Sequence, residues 1–222
     1  MKRTGGALAH GKPYSWQEEL ANSVTHGIGT GLSIAGLIIL VVLAVKQGSV
    51  WHVVSFSIYG SSLILLYLAS TLYHSFQKPR LKHVFRVLDH SAIYVLIAGT
   101  YTPFMLVSLR GPWGWSLFSV VWGLAVAGIL FKSLFISRFE RLSLVVYLLM
   151  GWLGLIAARQ MWMEIPTGGL IWLVAGGVFY SLGVIFYQWR LFPYHHAVWH
   201  LFVLAGSICH YFSVLLYVLP AQ

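Results

Sequence analysis

Ten histidines and a single aspartate in 222 residues place the groups able to bind a metal or move a proton at a few points. His196 and His200, in the run PYHHAVWHLF, stand four residues apart. On a helix that spacing puts two imidazoles on one face about one turn apart, as a helix offers two nitrogens to one ion. His74, in LASTLYHSF, has Ser70 four residues before it on the same face. Asp89, in FRVLDHSAIYVL, is the one aspartate. Each has a plain explanation when taken alone. HxxxH arises by chance among many histidines and, with His195, could mark only a histidine-rich turn at the membrane surface. His74 could be a helix-end histidine satisfied by water or headgroups, and Asp89 an interfacial carboxylate beside Arg86 at i, i+3. Glu19, Asn22 and His26 form a stripe at i, i+3, i+7 that could line a pocket or support ligands from behind. Equally, Asn22 or Ser23 could only cap a helix. His210 lies fourteen residues after His196, about 21 Å along a helix. It is too far away to share an ion, and a hydrogen bond within the protein is expected of it.

The elements that must position these groups follow from composition. Apolar residues make up 59% of the chain, aromatic residues 16% and charged residues only 9%. A soluble domain carries roughly a quarter charged residues, so a soluble protein, a disordered chain and a nucleic-acid partner are all excluded despite the net charge of +9. Seven long stretches lack Asp, Glu, Lys and Arg: 20–45, 47–77, 90–109, 111–131, 142–158, 165–189 and 191–222. Each supplies the roughly 20 apolar residues of a membrane-spanning helix. Runs such as LIILVVLAV are continuous rather than alternating, which argues against a transmembrane β-barrel. The expectation is an all-α integral membrane protein, one seven-transmembrane helix bundle over residues 1–222. Its helices are expected near 22–45, 52–75, 87–109, 113–131, 142–160, 169–188 and 196–218. Pro103 should kink the third helix, and SLFISRFER at 133–141 could lie along the interface. Gly27, Gly29, Gly31, Gly176 and Gly177 suit close helix packing. The tryptophans and tyrosines fit interfacial belts. Cys209 reads as packing, and the polar first 20 residues suggest no cleaved signal.

Basic residues in short loops are retained on the cytoplasmic side. With the N-terminus inside, that side holds Lys2, Arg3, Lys12, Lys78, Arg80, Lys82, Arg86, Lys132, Arg138, Arg141 and Arg190. The other side holds Lys46, Arg110 and Arg159. The N-terminus is therefore expected in the cytoplasm and the C-terminus outside. His74, Asp89, His196 and His200, from three helices, then share one membrane depth. The plain explanations require no such coincidence. Three histidines and a water form a recurrent catalytic zinc arrangement, and a nearby carboxylate would orient that water and take its proton. A metal site is the better reading.

In this order, EELANSVTHGIG, LASTLYHS, LDHSAIYVLIAGTYTPF and HHAVWHLF resemble the bacterial haemolysin III family, which is related to the progestin and adipoQ receptors and to alkaline ceramidases. The resemblance runs from about residue 15 to 218. The superfamily pattern of SxxxH, an aspartate and HxxxH falls on Ser70 and His74, on Asp89, and on His196 and His200. It implies seven helices with a cytoplasmic N-terminus and Zn2+ held by His74, His196 and His200. It also implies Asp89 at the metal-bound water and Ser70 close by. The receptor branch carries a long N-terminal domain, and its hormone binding is not expected here. The expected activity is hydrolysis of a membrane lipid or fatty-acyl amide or ester, with Asp89 and Ser70 catalytic, serving lipid homeostasis in the bacterial inner membrane. The alternatives are a non-enzymatic lipid sensor with structural zinc and a pore-forming cytolysin. No helix carries a polar stripe along its whole length, which gives the pore little support.

Overall fold

A computed structural model describes residues 14–136, 138–189 and 192–219. Among them are seven helices long and apolar enough to cross a membrane: α1 Trp16–Gln47, α2 Val50–Ser75, α3 Pro79–Ser108, α4 Pro112–Phe135, α5 Glu140–Glu164, α6 Thr167–Gln188 and α7 His195–Tyr217. No strand occurs among the described residues. Arg190 and the basic residues Lys2, Arg3 and Lys12 lie outside them.

Two helices begin well before the charge-free stretches do. α1 starts at Trp16 because Ser15 and Glu18 form a capping box: the Glu18 N–H donates to Ser15 Oγ, and the Ser15 N–H donates to Glu18 Oε2 at 2.8 Å. Glu18 and Glu19 then sit in the first turn, where the helix dipole favours acidic groups. The alternative that Asn22 or Ser23 caps the helix is thus ruled out, since both lie inside it. α3 starts at Pro79, whose ring suits the first helical position, eight residues before the expected 87. Asp89 consequently lies about 15 Å into α3 at 1.5 Å per residue, not at its start.

Two spans change winding. α-Helical geometry in α3 ends at Pro103, and a π turn follows over Phe104–Ser108, with the Leu109 N–H donating to Phe104 O at 2.8 Å. In α5 a 3-10 turn at Leu153–Ala157 separates Glu140–Gly151 from Ala158–Glu164. The Tyr101 hydroxyl bridges that break, donating to Gly151 O and accepting from the Gly154 N–H, both at 2.8 Å. Buried backbone groups freed at a break need such partners. α4 runs to Phe135, so the first three residues of the 133–141 segment belong to that helix.

Packing is inverted relative to a water-soluble bundle. The buried face of α1 is the stripe Glu19, Asn22, His26, Gly29, Ser33, Gly36, Leu40 and Ala44. Large apolar side chains such as Ile28, Leu32, Ile39 and Val42 point outward, as lipid contact requires. α1 packs on α2 and α7, α2 on α3, α3 on α4, and α6 on α7. The core between them contains Leu40, Phe56, Tyr59, Leu63, Leu66 and Tyr67. Small residues let these helices approach: a Cβ on Gly29 would lie 2.6 Å from the Tyr67 ring, and one on Gly176 would strike His210. A Cβ on Gly177 would lie 3.1 Å from Trp152, one on Gly27 would make only an ordinary contact, and one on Gly31 would meet nothing within 4 Å. Cys209 is a buried free thiol.

Candidate metal centre

The end of α2, the first two turns of α7 and the first turns of α1 meet at one end of the bundle. His74, His196 and His200 are all buried there, and each offers a ring nitrogen lying within 4.8 Å of the other two. His196 and His200 come from one face of α7, their ring centroids 4.6 Å apart. His74 enters from α2, with its ring centre 5.1 Å and 5.2 Å from theirs.

The neighbours fix two of the rings. Glu19 Oε2 accepts a hydrogen bond from His74 Nδ1 at 2.6 Å. A carboxylate can only accept, so the proton sits on Nδ1 and Nε2 carries the lone pair. That Nε2 is buried with no partner among the described residues. His200 Nδ1 donates to the backbone carbonyl of Asn22 at 3.1 Å and lies 3.1 Å from Thr25 Oγ1, again leaving Nε2 for a ligand. Metal-binding histidines are typically held this way through the nitrogen that does not ligate.

Glu19 matches both readings open for the α1 stripe, since it lines the cavity and also holds His74 through Nδ1. Its second oxygen accepts from Lys82 Nζ at 2.5 Å. Asn22 and His26 are buried in the same place. His26 stacks on His200 with ring centres 3.5 Å apart, and both its nitrogens, like both side-chain polar atoms of Asn22, lack partners among the described residues. His196 Nδ1 also lacks a partner among the described residues. Buried polar atoms are nearly always satisfied, all the more inside a bilayer. A concentration of unsatisfied atoms around three imidazoles therefore fits a bound ion with its water, and the donor set suits zinc.

Asp89 stands on the adjacent wall, next to Ser70 and within electrostatic reach of His74. The i, i+3 pairing with Arg86 is not made. Arg86 instead donates to Glu140 Oε1 at 2.9 Å, because α5 brings that carboxylate against α3. His90 Nδ1 lies 3.6 Å from Asp89 Oδ2. The side chain of Asp89 is 15% exposed, and it lines a cavity of about 1080 Å³ shared with Glu19, His26, Ser70, His196 and His200. That cavity continues past Ile97, Thr100 and Trp152 to His210. As expected, His210 is hydrogen-bonded within the bundle, to Leu173 O at 3.1 Å, and holds no place at the metal group.

Three residues of this region escaped the sequence reading. Tyr14 lays its ring 5.2 Å from that of His196, and His90 lines the cavity beside Asp89. Lys132, counted above among the surface charges, is 1% exposed inside α4. Its position between Ile129–Phe131 and Leu134–Phe135 was the available signal.

A sequence model of the haemolysin-III-related family matches residues 14–211. The chain is 52% identical over 204 residues to "Hemolysin-3" of Bacillus cereus, covering 92% of this chain and 93% of that one. It is 50% identical to the "Hemolysin-3 homolog" of Bacillus subtilis (strain 168), covering 92% and 96%. It is 31% identical over 203 residues to the human "Monocyte to macrophage differentiation factor", covering 89% and 83%. No solved structure gives a significant match. With the family model spanning all seven helices nearly to the end of α7, and two relatives at half identity over almost their whole length, the chain belongs to the haemolysin III family.

Proposed function

We propose that this membrane protein is a zinc-dependent hydrolase of lipid amides or esters, working at the cytoplasmic face of a bacterial inner membrane in lipid homeostasis. One observation supports the reading: His196, His200 and Asp89 line one large, mostly apolar cavity, and His74 offers a ring nitrogen within 4.8 Å of those of the two histidines. The excess of basic residues at the same end supports its cytoplasmic placement.

When bound, zinc supplies Lewis acidity and an acidified water. His74, His196 and His200 would hold it, with Glu19 and the Asn22 carbonyl fixing the tautomers of His74 and His200. Asp89 stands where it could take a proton from the attacking water and return it to the leaving group. Ser70, buried beside Asp89, is placed to donate to a carbonyl oxygen. The apolar wall from Leu66 and Ile97 to Trp152 would hold an acyl chain and exclude water.

Asp89→Asn tests this directly. The metal content of the purified variant should equal that of wild type, while hydrolysis across a panel of long-chain amides and esters falls about 100- to 10,000-fold. Full turnover by the variant would remove Asp89 from the chemistry. A wild-type protein with stoichiometric zinc and no turnover across the panel would leave zinc a structural tie between α2 and α7.

A further inference from the structure

Part of the cavity wall carries cations that hydrolysis leaves unused. Lys82 and Arg86 of α3 and Lys132 of α4 line it, together with Glu140 at the start of α5. Two of these cations are matched: Lys82 donates to Glu19, and Arg86 to Glu140 at 2.9 Å. Lys132 differs. A lysine near a helix end in a membrane ordinarily extends its stem until the ammonium reaches the headgroups. Lys132 is 1% exposed, so it turns inward between the helices. It makes no hydrogen bond and no ion pair with any described residue. The charges within its electrostatic reach are Glu140, which attracts it but is already bonded to Arg86, and Arg86 itself, which repels it. His90 shares this surrounding. An ammonium in such a place is costly without a counter-charge.

We propose that Lys132, backed by Arg86, receives the anionic group of an amphiphile, a phosphate or carboxylate, whose hydrocarbon portion occupies the same cavity. An anionic lipid and a free inorganic anion share the headgroup chemistry. The mostly apolar space of about 1080 Å³ that runs from Lys132 past Ile97 and Trp152 to His210 favours the lipid. This deepens the hydrolase reading, in that it rests on the cavity being the substrate chamber and names the substrate class as anionic.

Binding measures it independently of turnover. Full-length protein in nanodiscs of zwitterionic lipid is titrated with dodecyl phosphate, with dodecanol, and with inorganic phosphate as a competitor. Wild type should prefer dodecyl phosphate to dodecanol by about tenfold or more, the effect of one charge-assisted hydrogen bond. Lys132→Met should reduce that preference to below about twofold with dodecanol affinity unchanged, and Lys132→Arg should keep it. Equal binding of the two probes by wild type overturns the proposal with no variant needed, so a misfolded Lys132→Met cannot shelter it. A preference that survives Lys132→Met overturns it as well. Inorganic phosphate displacing dodecyl phosphate at equal concentration would assign the site to a free anion and overturn the lipid. Lost preference beside intact lipid hydrolysis refutes this inference alone. Intact preference without hydrolysis refutes only the enzymatic reading.

Discussion

Removing the Glu19 carboxylate should weaken metal binding while leaving the helix that carries it intact. Its Oε2 accepts from His74 Nδ1 at 2.6 Å and so leaves the Nε2 lone pair open to a ligand. Partners of this kind contribute about 10- to 100-fold in metal affinity or activity, or about 1.4 to 2.7 kcal/mol. Two substitutions divide that range. Glu19→Gln keeps an acceptor for the Nδ1 proton but loses the charge. Neutral hydrogen bonds are roughly half as strong as charge-assisted ones, so a loss near the lower end, about tenfold, is expected. Glu19→Ala also frees the ring to rotate and to change tautomer, and about 100-fold is expected. Side effects should be small. The side chain of Lys82 is 26% exposed, so its ammonium can rehydrate, and exposed pairs contribute little. The Ser15–Glu18 cap is untouched. Chelator competition on purified protein gives the affinity, and thermal unfolding of the metal-free forms shows whether the fold survives. A Glu19→Ala protein that binds metal within about twofold of wild type would refute the assigned role.

Two further outcomes follow from the same geometry. His196→Ala/His200→Ala should reduce metal from about one ion per chain to background by elemental analysis, and unchanged content would remove the basis for the site. Gly29→Ala and Gly31→Ala, two residues apart on α1, should differ in sign. The first forces a methyl to 2.6 Å from the buried Tyr67 ring and should cost about 1–3 kcal/mol. The second meets nothing within 4 Å and should gain up to about 1 kcal/mol of helix propensity. Chemical unfolding in detergent checks both.

The number of helices was legible because lipid tolerates so few charges that the gaps between them are long and clean. Where helices start was less legible, since a charge on the first turns of a helix looks the same in sequence as one in a loop. Arg80, Lys82 and Arg86 hid eight residues of α3 in this way, and with them the true depth of Asp89. The three-histidine group was legible because HxxxH and SxxxH are local patterns. The function of the α1 stripe was not, because a period of 3.6 shows which residues share a face but not what that face meets. Extending the stripe from Glu19, Asn22 and His26 through Gly29, Ser33 and Gly36 gives a polar and small-residue face opposite Ile28, Leu32 and Ile39. In a membrane such a face must turn inward.

Lys132 is the sharpest case. Its place in the charge asymmetry assumed that an ammionium one turn from a helix end reaches the headgroups, which the number of basic residues on each side cannot test. Burial shows that it does not. The end of the bundle at which it lies is unchanged, so it can still act as a topology signal during insertion. In the folded protein, however, it is buried between the helices and faces the cavity. The cost of its charge must be offset from inside the bundle, where Glu140 is shared with Arg86. That distinguishes Lys132 from Lys82, whose ammonium is paired with Glu19 and partly exposed, and makes the charge of whatever enters the cavity the decisive variable.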